Sequence, residues 1–206
     1  MDPLTALLIA LGAFLIGSIP TGYLVARAKG VDIRQHGSGN IGATNVFRTL
    51  GKPLGILVFV IDALKGFAAV WFASRFGGGS DWSGIIAAVA AIVGHNYTPW
   101  LGFKGGKGIA TSAGVLIALM PWAVLAIALV WFAVFFATRY VSLASICAAA
   151  SLPAAVGALW FYGCGGSAPL LGFSVLIAAL AIWRHRSNIE RLMAGTEHRF
   201  DRKPSP

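Results

Sequence analysis

Residues 53–76 read PLGILVFVIDALKGFAAVWFASRF, and this stretch decides the fold class. A helix needs about 20 mostly apolar residues to cross a bilayer, and this segment supplies them. The whole chain has the same character: 57% of its 206 residues are hydrophobic, 11% are charged, and the mean hydropathy is +0.78. A soluble domain carries about 25% charged residues. The sequence therefore predicts an all-α integral membrane protein.

Six other hydrophobic segments accompany this one. We predict seven transmembrane helices, at about 4–26, 53–76, 82–97, 109–120, 122–138, 142–162 and 169–183. The first is too long, and too poor in N-terminal positive charge, for a cleaved signal peptide. The fourth, of about 12 residues, is a partial span unless the preceding glycines extend it. Seven spans use roughly 140 residues, so residues 1–206 are predicted to form a single domain without a separate soluble one.

Positive charge is confined to alternate connections. Fourteen of the 16 Lys and Arg residues lie in the first, third and fifth loops and the C-terminal tail, which share one side if there are seven spans. The positive-inside rule then places the N-terminus outside and the C-terminus in the cytoplasm. This topology accounts for the net charge of +9 without a nucleic-acid partner. The residues are Arg27, Lys29, Arg34, Arg48, Lys52, Lys104, Lys107, Arg139, Arg184, Arg186, Arg191, Arg199, Arg202 and Lys203.

The first positively charged loop contains a glycine-rich polar motif, GSGNIGATNVFR, at residues 37–48. Its glycines allow backbone conformations that other residues avoid, and consecutive N–H groups in such a segment form a concavity for an anion. The motif predicts a phosphate-binding loop, with a flexible glycine linker as the alternative. The candidate residues are Gly37, Ser38, Gly39, Asn40, Gly42, Thr44, Asn45 and Arg48.

Together with Asp62, this loop superficially matches a dinucleotide-binding motif. Gly37, Gly39 and Gly42 fit G-x-G-x-x-G, and Asp62 lies about 20 residues further on, as in a dinucleotide-binding fingerprint. That fingerprint requires a βαβ unit, whereas this motif lies between two membrane spans, so it is excluded. Asp62 and Lys65 are instead spaced to pair on one helix face. We predict a structural ion pair, although intramembrane charges are also functional candidates.

The second positively charged loop reads KGGKGIAT at residues 104–111. Lys104 and Lys107 alternate with Gly105 and Gly106 ahead of an apolar segment, a pattern typical of an anion site near a helix N-terminus. It is not a Walker A loop, because the spacing is one residue short and no Ser or Thr follows the second lysine. The alternative is that these lysines only set topology or contact lipid headgroups.

Further candidates lie near the same side of the membrane. His185 and Asn188 follow the last span and share a face of a continuing helix, with Arg191 beside Asn188; the alternative is a solvated basic helix end. His95 ends the third span and is either structural or catalytic, and Ser142 and Arg139 flank the start of the sixth. The two cysteines are predicted to be free thiols, and no metal site or cofactor is expected. The cysteines are Cys147 and Cys164.

Three motifs together resemble those of one family, the bacterial integral-membrane glycerol-3-phosphate acyltransferases that use acyl phosphate. They are GSGNIGATNVFR (37–48), KGGKGIAT (104–111) and HRSNIERL (185–192). Their order and spacing match, as do the chain length and the seven predicted spans, so the resemblance covers nearly the whole chain. The segment RYVSLASI at 139–146 is also similar. The tail beyond Thr196 carries no recognisable signature.

The resemblance implies transfer of an acyl group from acyl phosphate to the sn-1 hydroxyl of glycerol 3-phosphate in the bacterial inner membrane. The products are lysophosphatidic acid and phosphate, and a soluble synthase would supply the acyl phosphate. It assigns Ser38, Asn40, Thr44 and Arg48 to the phosphate-binding region. By the same resemblance, Lys104 and Lys107 would neutralise substrate phosphates. The other two implied residues, at the reacting centre, are His185 and Asn188.

An acyl phosphate is a mixed anhydride with a good leaving group, so no covalent intermediate is required and a nucleophilic Ser38 is unneeded. Orientation and charge stabilisation remain for the protein. The proton goes either to His185 or to a substrate phosphate. A His185–Glu190 dyad is not expected, because five residues turn a helix through about 140°. We expect the motifs to converge on one cytosolic pocket; a transporter of a phosphorylated metabolite is the alternative, although the chain shows no internal repeat.

Overall fold

The computed structural model describes residues 1–200 and is helical throughout its regular segments. Arg202 and Lys203, counted above, lie outside the described residues. Two short 3-10 turns, Ile33–Gln35 and Pro99–Leu101, accompany the α-helices. In the described part these are α1 (Pro3–Ser18), α2 (Thr21–Arg27), α3 (Ala43–Leu50), α4 (Lys52–Phe76), α5 (Asp81–Asn96), α6 (Ile109–Leu119), α7 (Pro121–Thr138), α8 (Val141–Phe161), α9 (Ala168–Arg184) and α10 (Arg186–Met193).

All the predicted hydrophobic segments are helical, but some of the helices are too short to be counted as membrane spans. Four segments are long and apolar enough to cross a membrane, and α9 with α10 makes a fifth if the bent pair is one span. The four are Pro3–Arg27, Lys52–Phe76, Pro121–Thr138 and Val141–Phe161. Helices α5 and α6 have only 16 and 11 residues. The count of seven spans therefore stays a prediction.

The first predicted span is not one continuous helix. It breaks between α1 and α2 at Ile19 and Pro20, because proline has no N–H for the helical ladder and its ring clashes with the preceding turn. The first positively charged loop also differs from expectation. Its second half forms α3, which begins after Gly42 and ends at Gly51, whose φ of +92° stops the helix.

The chain divides into two compact units, one from Met1 to Leu119 and one beginning at Met120. In the first unit, α4 packs against α1, α3, α5 and α6, and α1 also packs along α5. In the second unit, α8 packs between α7 and α9, with α10 against α8 and α9. The single domain predicted over residues 1–206 stays a prediction.

Small residues let the helices of the first unit approach closely, as in other membrane bundles. A Cβ atom at Gly66 of α4 would meet the carbonyl of Thr111 in α6, and one at Gly114 of α6 would meet that of Ala63 in α4. Large apolar side chains lie on the outside instead, where lipid rather than water is their natural neighbour. They include Leu4, Leu7, Leu8 and Leu11 of α1 and Leu129, Phe132 and Phe136 of α7.

The predicted ion pair inside the second span is confirmed. Lys65 Nζ lies 2.7 Å from Asp62 Oδ1, and both side chains are buried on α4. The pair therefore faces protein and not lipid. The two cysteines of the described chain are free, as predicted.

Candidate active site

The glycine-rich loop is organised by the side chain of Asn45. This residue is buried in α3, and its Oδ1 accepts a hydrogen bond from the Ser38 N–H at 3.0 Å. Its Nδ2 donates to the carbonyl oxygens of His36 at 3.0 Å and Asn40 at 2.8 Å. Gly37 has a φ of +57°, and a side chain there would clash with the Asn45 amide. The Asn45 side-chain amide, which the motif predicts to bind phosphate, therefore stabilises the conformation of the loop.

Two further N–H groups of the loop are also bonded within it. The Gly42 N–H donates to Asn40 Oδ1 at 2.8 Å, and the Gly39 N–H donates to the His36 carbonyl at 3.0 Å. With the Ser38 N–H, three of the donors that the motif offers to an anion already have acceptors. The anion concavity expected from the glycines is therefore not built from these three amides.

Other donors of this motif lie at or near the surface of the loop. Ser38 and Arg48 are exposed, and Thr44 is half-buried in the first turn of α3. The N–H groups of Ala43 and Thr44 stand in that first turn, where an α-helix supplies no acceptor. An anion here would meet side chains and a helix N-terminus. Such an end attracts negative charge.

The second positively charged loop, which we call the lysine loop (residues 104–108), is hydrogen-bonded to the end of α5. The Gly105 N–H donates to the Asn96 carbonyl and the Gly106 N–H to the His95 carbonyl, each at 3.1 Å. Any side chain at Gly105 or Gly106 would collide with those residues, and Gly108 has a φ of +82°. Gly105 and Gly106 therefore allow the loop to approach α5 closely, and their N–H groups already have carbonyl acceptors.

The loop nevertheless keeps its lysines at the surface of the first unit. Lys104 is exposed and Lys107 is half-buried, directly before α6 begins at Ile109. Two ammonium groups next to a helix N-terminus favour an anionic ligand, through charge and through the first-turn N–H groups. His95 is buried beneath this loop, 5% exposed.

In the second unit, Glu197 joins several candidate residues. Its Oε1 accepts from Ser142 Oγ at 2.8 Å and from Asn188 Nδ2 at 2.7 Å. Its Oε2 accepts from Arg191 Nε at 2.7 Å. Burial raises the pKa of Glu197, but the hydrogen bonds from Asn188, Ser142 and Arg191 outweigh it and lower the pKa below its usual value. The carboxylate is therefore charged and holds α8 and α10 together.

Glu197 is the site residue that sequence reasoning missed. A signal for it was present in Gly195, which has a φ of +69° and ends α10. The Gly195 N–H donates to the Leu192 carbonyl and the Thr196 N–H to the Arg191 carbonyl, which reverses the chain. The reversal brings Glu197, an acidic residue in a basic tail, back onto α10.

His185 stands at the junction of α9 and α10, where the two helices are bent by 56°. The helix that was expected to continue through His185 and Asn188 therefore does not run straight. The His185 Nδ1 lies 2.7 Å from the Ala181 carbonyl oxygen, and the ring is 3% exposed. A carbonyl can only accept, so Nδ1 carries a proton, which leaves Nε2 as the nitrogen that can gain or lose one. Glu190 is exposed, unlike His185.

Arg139 ends α7 in the left-handed conformation, with a φ of +64°. Its carbonyl oxygen accepts a hydrogen bond from the Phe200 N–H at 2.8 Å. Its guanidinium lies over the Phe136 ring, 5.8 Å from the centroid. Within residues 1–200, no three His, Cys, Asp or Glu side chains are grouped as a metal site requires.

The candidate residues thus fall into connected groups. Hydrogen bonds link Ser38, Asn40, Gly42 and Asn45 in one loop, and His95 with the lysine loop in the first unit. Ser142 and Asn188 share one carboxylate in the second. Whether the three motifs meet in one pocket stays a prediction, as do the individual roles of these residues.

Comparison with known proteins adds independent information. A family model described as glycerol-3-phosphate acyltransferase matches residues 7–195. A glycerol-3-phosphate acyltransferase of Desulforamulus reducens is 47% identical over 204 residues, which cover 98% of this chain and 99% of the relative. One from Geobacter metallireducens is 53% identical over 197 residues, covering 96% and 98%.

Two solved structures are similar over almost the full length. Both are crystal structures of PlsY, an integral membrane glycerol 3-phosphate acyltransferase. The glycerol 3-phosphate form has a TM-score of 0.87 at 46% identity and covers 95% of this chain and 96% of that one. The lysophosphatidic acid form has a TM-score of 0.85 at 45% identity, covering 95% of each. With its membrane-spanning helices and its match at full length, the chain belongs to the glycerol-3-phosphate acyltransferase family of integral membrane proteins.

Proposed function

We propose that this protein transfers a fatty acyl group from acyl phosphate to the sn-1 hydroxyl of glycerol 3-phosphate, giving lysophosphatidic acid and phosphate. The observation that carries the proposal is the full-length match, at 46% and 45% identity, to PlsY in its glycerol 3-phosphate and lysophosphatidic acid forms. These two molecules differ by one acyl group, as the acceptor and the product of such a transfer do. The reaction is a step in phospholipid synthesis.

The first unit supplies groups for anionic substrates. The exposed Arg48 and the half-buried Thr44 belong to α3, whose first-turn N–H groups add donors. Arginine binds phosphate through two parallel hydrogen bonds, which orients as well as attracts it. Lys104 and Lys107 would neutralise phosphate charge as the acyl-transfer transition state forms. Asn45 and the loop glycines act by holding this arrangement in place.

The second unit supplies a histidine suited to proton transfer. Because the Nδ1–H of His185 is bonded to the Ala181 carbonyl, Nε2 is the ring nitrogen that would accept a proton from the substrate. In the proposed reaction the acceptor hydroxyl oxygen attacks the acyl carbonyl carbon and forms the ester bond. The bond between that carbon and the phosphate oxygen breaks, and phosphate leaves with the electron pair. The hydroxyl proton passes to His185 and then to phosphate, while Asn188 is held by Glu197 near the reacting atoms.

A transporter is not favoured by the geometry. Asp62 and Lys65 suggested transport because they are charges within a span. They pair with each other at 2.7 Å, and Lys65 also donates to the Ile19 carbonyl at 2.8 Å. Both charged groups thus have partners within the protein, so no transported ion is needed as a counter-charge.

The decisive experiment is a donor comparison with detergent-solubilised protein. Acyl phosphate with glycerol 3-phosphate should release phosphate and form lysophosphatidic acid without a membrane gradient, and acyl-CoA should not replace acyl phosphate. Lys104→Ala and His185→Ala should each abolish transfer, whereas Lys29→Ala, which removes another exposed lysine of the first unit, should not. Equal turnover with acyl-CoA would contradict the proposed donor, and no transfer with either donor would contradict the function.

A further inference from the structure

Three ionisable side chains are buried inside the first unit, where membrane bundles are normally packed with apolar residues. They are Asp62 and Lys65 of α4 and His95 of α5, which are 1%, 6% and 5% exposed. Removing charged groups from water carries a large free-energy cost, and the attraction between two buried charges often does no more than offset it. Their presence is therefore not explained by stability alone.

One end of this group lies at the break in the first span. Lys65 Nζ donates to the carbonyl oxygen of Ile19 at 2.8 Å, in addition to its contact with Asp62 Oδ1. Ile19 ends α1, and Pro20 follows it. The ammonium group thus lies at the negative end of the α1 dipole. It connects the break to α4.

The other end lies beneath the lysine loop. His95 Nδ1 is 3.7 Å from the same Asp62 oxygen that contacts Lys65. On the opposite side of the ring, Gly106 lies so close to His95 Nε2 that a side chain at Gly106 could not fit. The Gly106 N–H also donates to the His95 carbonyl at 3.1 Å. Gly106 of the loop therefore packs directly against the His95 imidazole.

A loop this rich in glycine needs such a contact to hold one conformation. Lys104 and Lys107 are separated only by Gly105 and Gly106, and Gly108 follows. Glycine has the largest conformational freedom of any residue, so the loop backbone does not place its lysines by itself. The buried His95 ring lies directly against Gly106, with the Asp62 carboxylate on its other side, and so restricts where the two ammonium groups can lie.

We propose that Asp62, Lys65 and His95 form a positioning network that fixes the lysine loop for catalysis. None of the three is a catalytic residue: each acts through its neighbour, from Ile19 to Lys65, Asp62, His95 and Gly106. The inference rests on the proposed function in one respect, namely that Lys104 and Lys107 contact substrate phosphate. The placement of the loop itself does not depend on that function.

The network is tested with two kinds of variant. The double variant Asp62→Leu with Lys65→Met removes both charges together, which avoids leaving one buried charge unpaired. His95→Gln removes the ring and keeps a polar group, and it provides the test if the double variant does not fold. Ser83→Ala is the matched control, because Ser83 is also a fully buried polar residue of α5 but lies in its first turn, far along the helix from the loop.

Two readouts separate this proposal from the proposed function. Hydrogen exchange of a peptide covering residues 103–108 should be faster in the network variants than in the wild type and in Ser83→Ala. The kcat for acyl transfer should fall by about 100-fold, the loss expected when catalytic groups are misplaced by about 1 Å. The melting temperature should stay close to that of Ser83→Ala.

Each result bears on the proposal. Faster exchange of the loop with lower kcat and an unchanged melting temperature supports it. Wild-type exchange of residues 103–108, or wild-type kcat and affinity for glycerol 3-phosphate in both variants, overturns it. If the wild-type protein transfers no acyl group at all, the proposed function fails, and the exchange result still decides whether the network positions the loop.

Discussion

At the scale of single residues, the structure separates side chains that shape a loop from those that face outward. Asn45 and Arg48 both belong to the motif GSGNIGATNVFR, yet they differ in surroundings. The Asn45 amide is buried among backbone groups of the loop, whereas Arg48 is exposed. Residue type alone predicts a ligand-binding role for both, and only the surroundings assign a structural role to one.

Arg48→Ala should mainly raise the KM for glycerol 3-phosphate, because the variant would lose the proposed bidentate phosphate contact but keep the loop held by Asn45. A charge-assisted hydrogen bond of this kind contributes about 1.5–3 kcal/mol, so KM should rise about 10- to 150-fold. Steady-state kinetics with purified protein provides the measurement. Arg27→Ala, at another exposed arginine, is the control, and an unchanged KM for Arg48→Ala would refute the assignment.

Glu197 gives a pH dependence with a definite sign. Its folded-state pKa is below its usual value of 4.5, since burial is outweighed by the bonds from Asn188, Ser142 and Arg191. Glu197 therefore takes up a proton more readily in the unfolded chain than in the folded protein. The stabilisation is complete above about pH 4.5 and is lost as the pH falls through the folded pKa.

Glu197→Gln should consequently reduce the free energy of unfolding by about 1–3 kcal/mol at neutral pH. The loss arises mainly at Arg191, because a glutamine can present only one oxygen. Melting temperatures between pH 7 and pH 3 test this, and the wild type and the variant should become more alike as the pH falls. A constant difference across the range would show that the Glu197 charge is not responsible.

At the scale of helices, close packing distinguishes glycines that occupy similar sequence environments. Gly66 of α4 and Gly114 of α6 each face a carbonyl of the other helix, whereas a Cβ at Gly12 of α1 would meet nothing within 4 Å. All three lie in apolar helices, so sequence patterns treat them alike. The packing of α4 on α6 makes the difference.

Gly66→Ala and Gly114→Ala should each destabilise the protein by about 1–3 kcal/mol, because the added methyl group forces two backbones apart. Gly12→Ala, the control, should be neutral or stabilising by up to about 1 kcal/mol, since alanine has the higher helix propensity. Thermal unfolding in detergent measures both effects. Equal melting temperatures for all three variants would contradict the close approach of α4 and α6.

At the scale of the whole molecule, the distribution of charge leads us to propose seven spans, with the N-terminus outside and the C-terminus in the cytoplasm of a bacterial inner membrane. Helices α5 and α6 are shorter than an average span. Seven spans nevertheless keep the positively charged connections on one side, as the positive-inside rule requires. The charged substrates of the proposed reaction would then reach the lysines from the cytoplasmic side.

Cysteine labelling in intact cells tests this topology. Cys164 is exposed in the turn before α9, so after Cys147→Ala it should react with a membrane-impermeant thiol reagent from outside. Lys29→Cys, combined with Cys147→Ala and Cys164→Ala, should react only once the membrane is permeabilised. Both proteins should label equally in detergent, which controls for accessibility. The reverse pattern would invert the topology, and labelling of both from outside would exclude an odd number of spans between them.

The amino-acid sequence by itself determined that this is a helical membrane protein, where its hydrophobic helices lie, and which motifs carry polar chemistry. Those features depend on local composition and spacing, which a linear pattern records. Tertiary structure alone decided that Asn45 shapes its loop, that His95 supports the lysine loop, and that Glu197 gathers Ser142, Asn188 and Arg191. The physical reason is that a buried polar group acts through whichever partner the folded chain brings within about 3 Å, and that partner can lie far away in sequence.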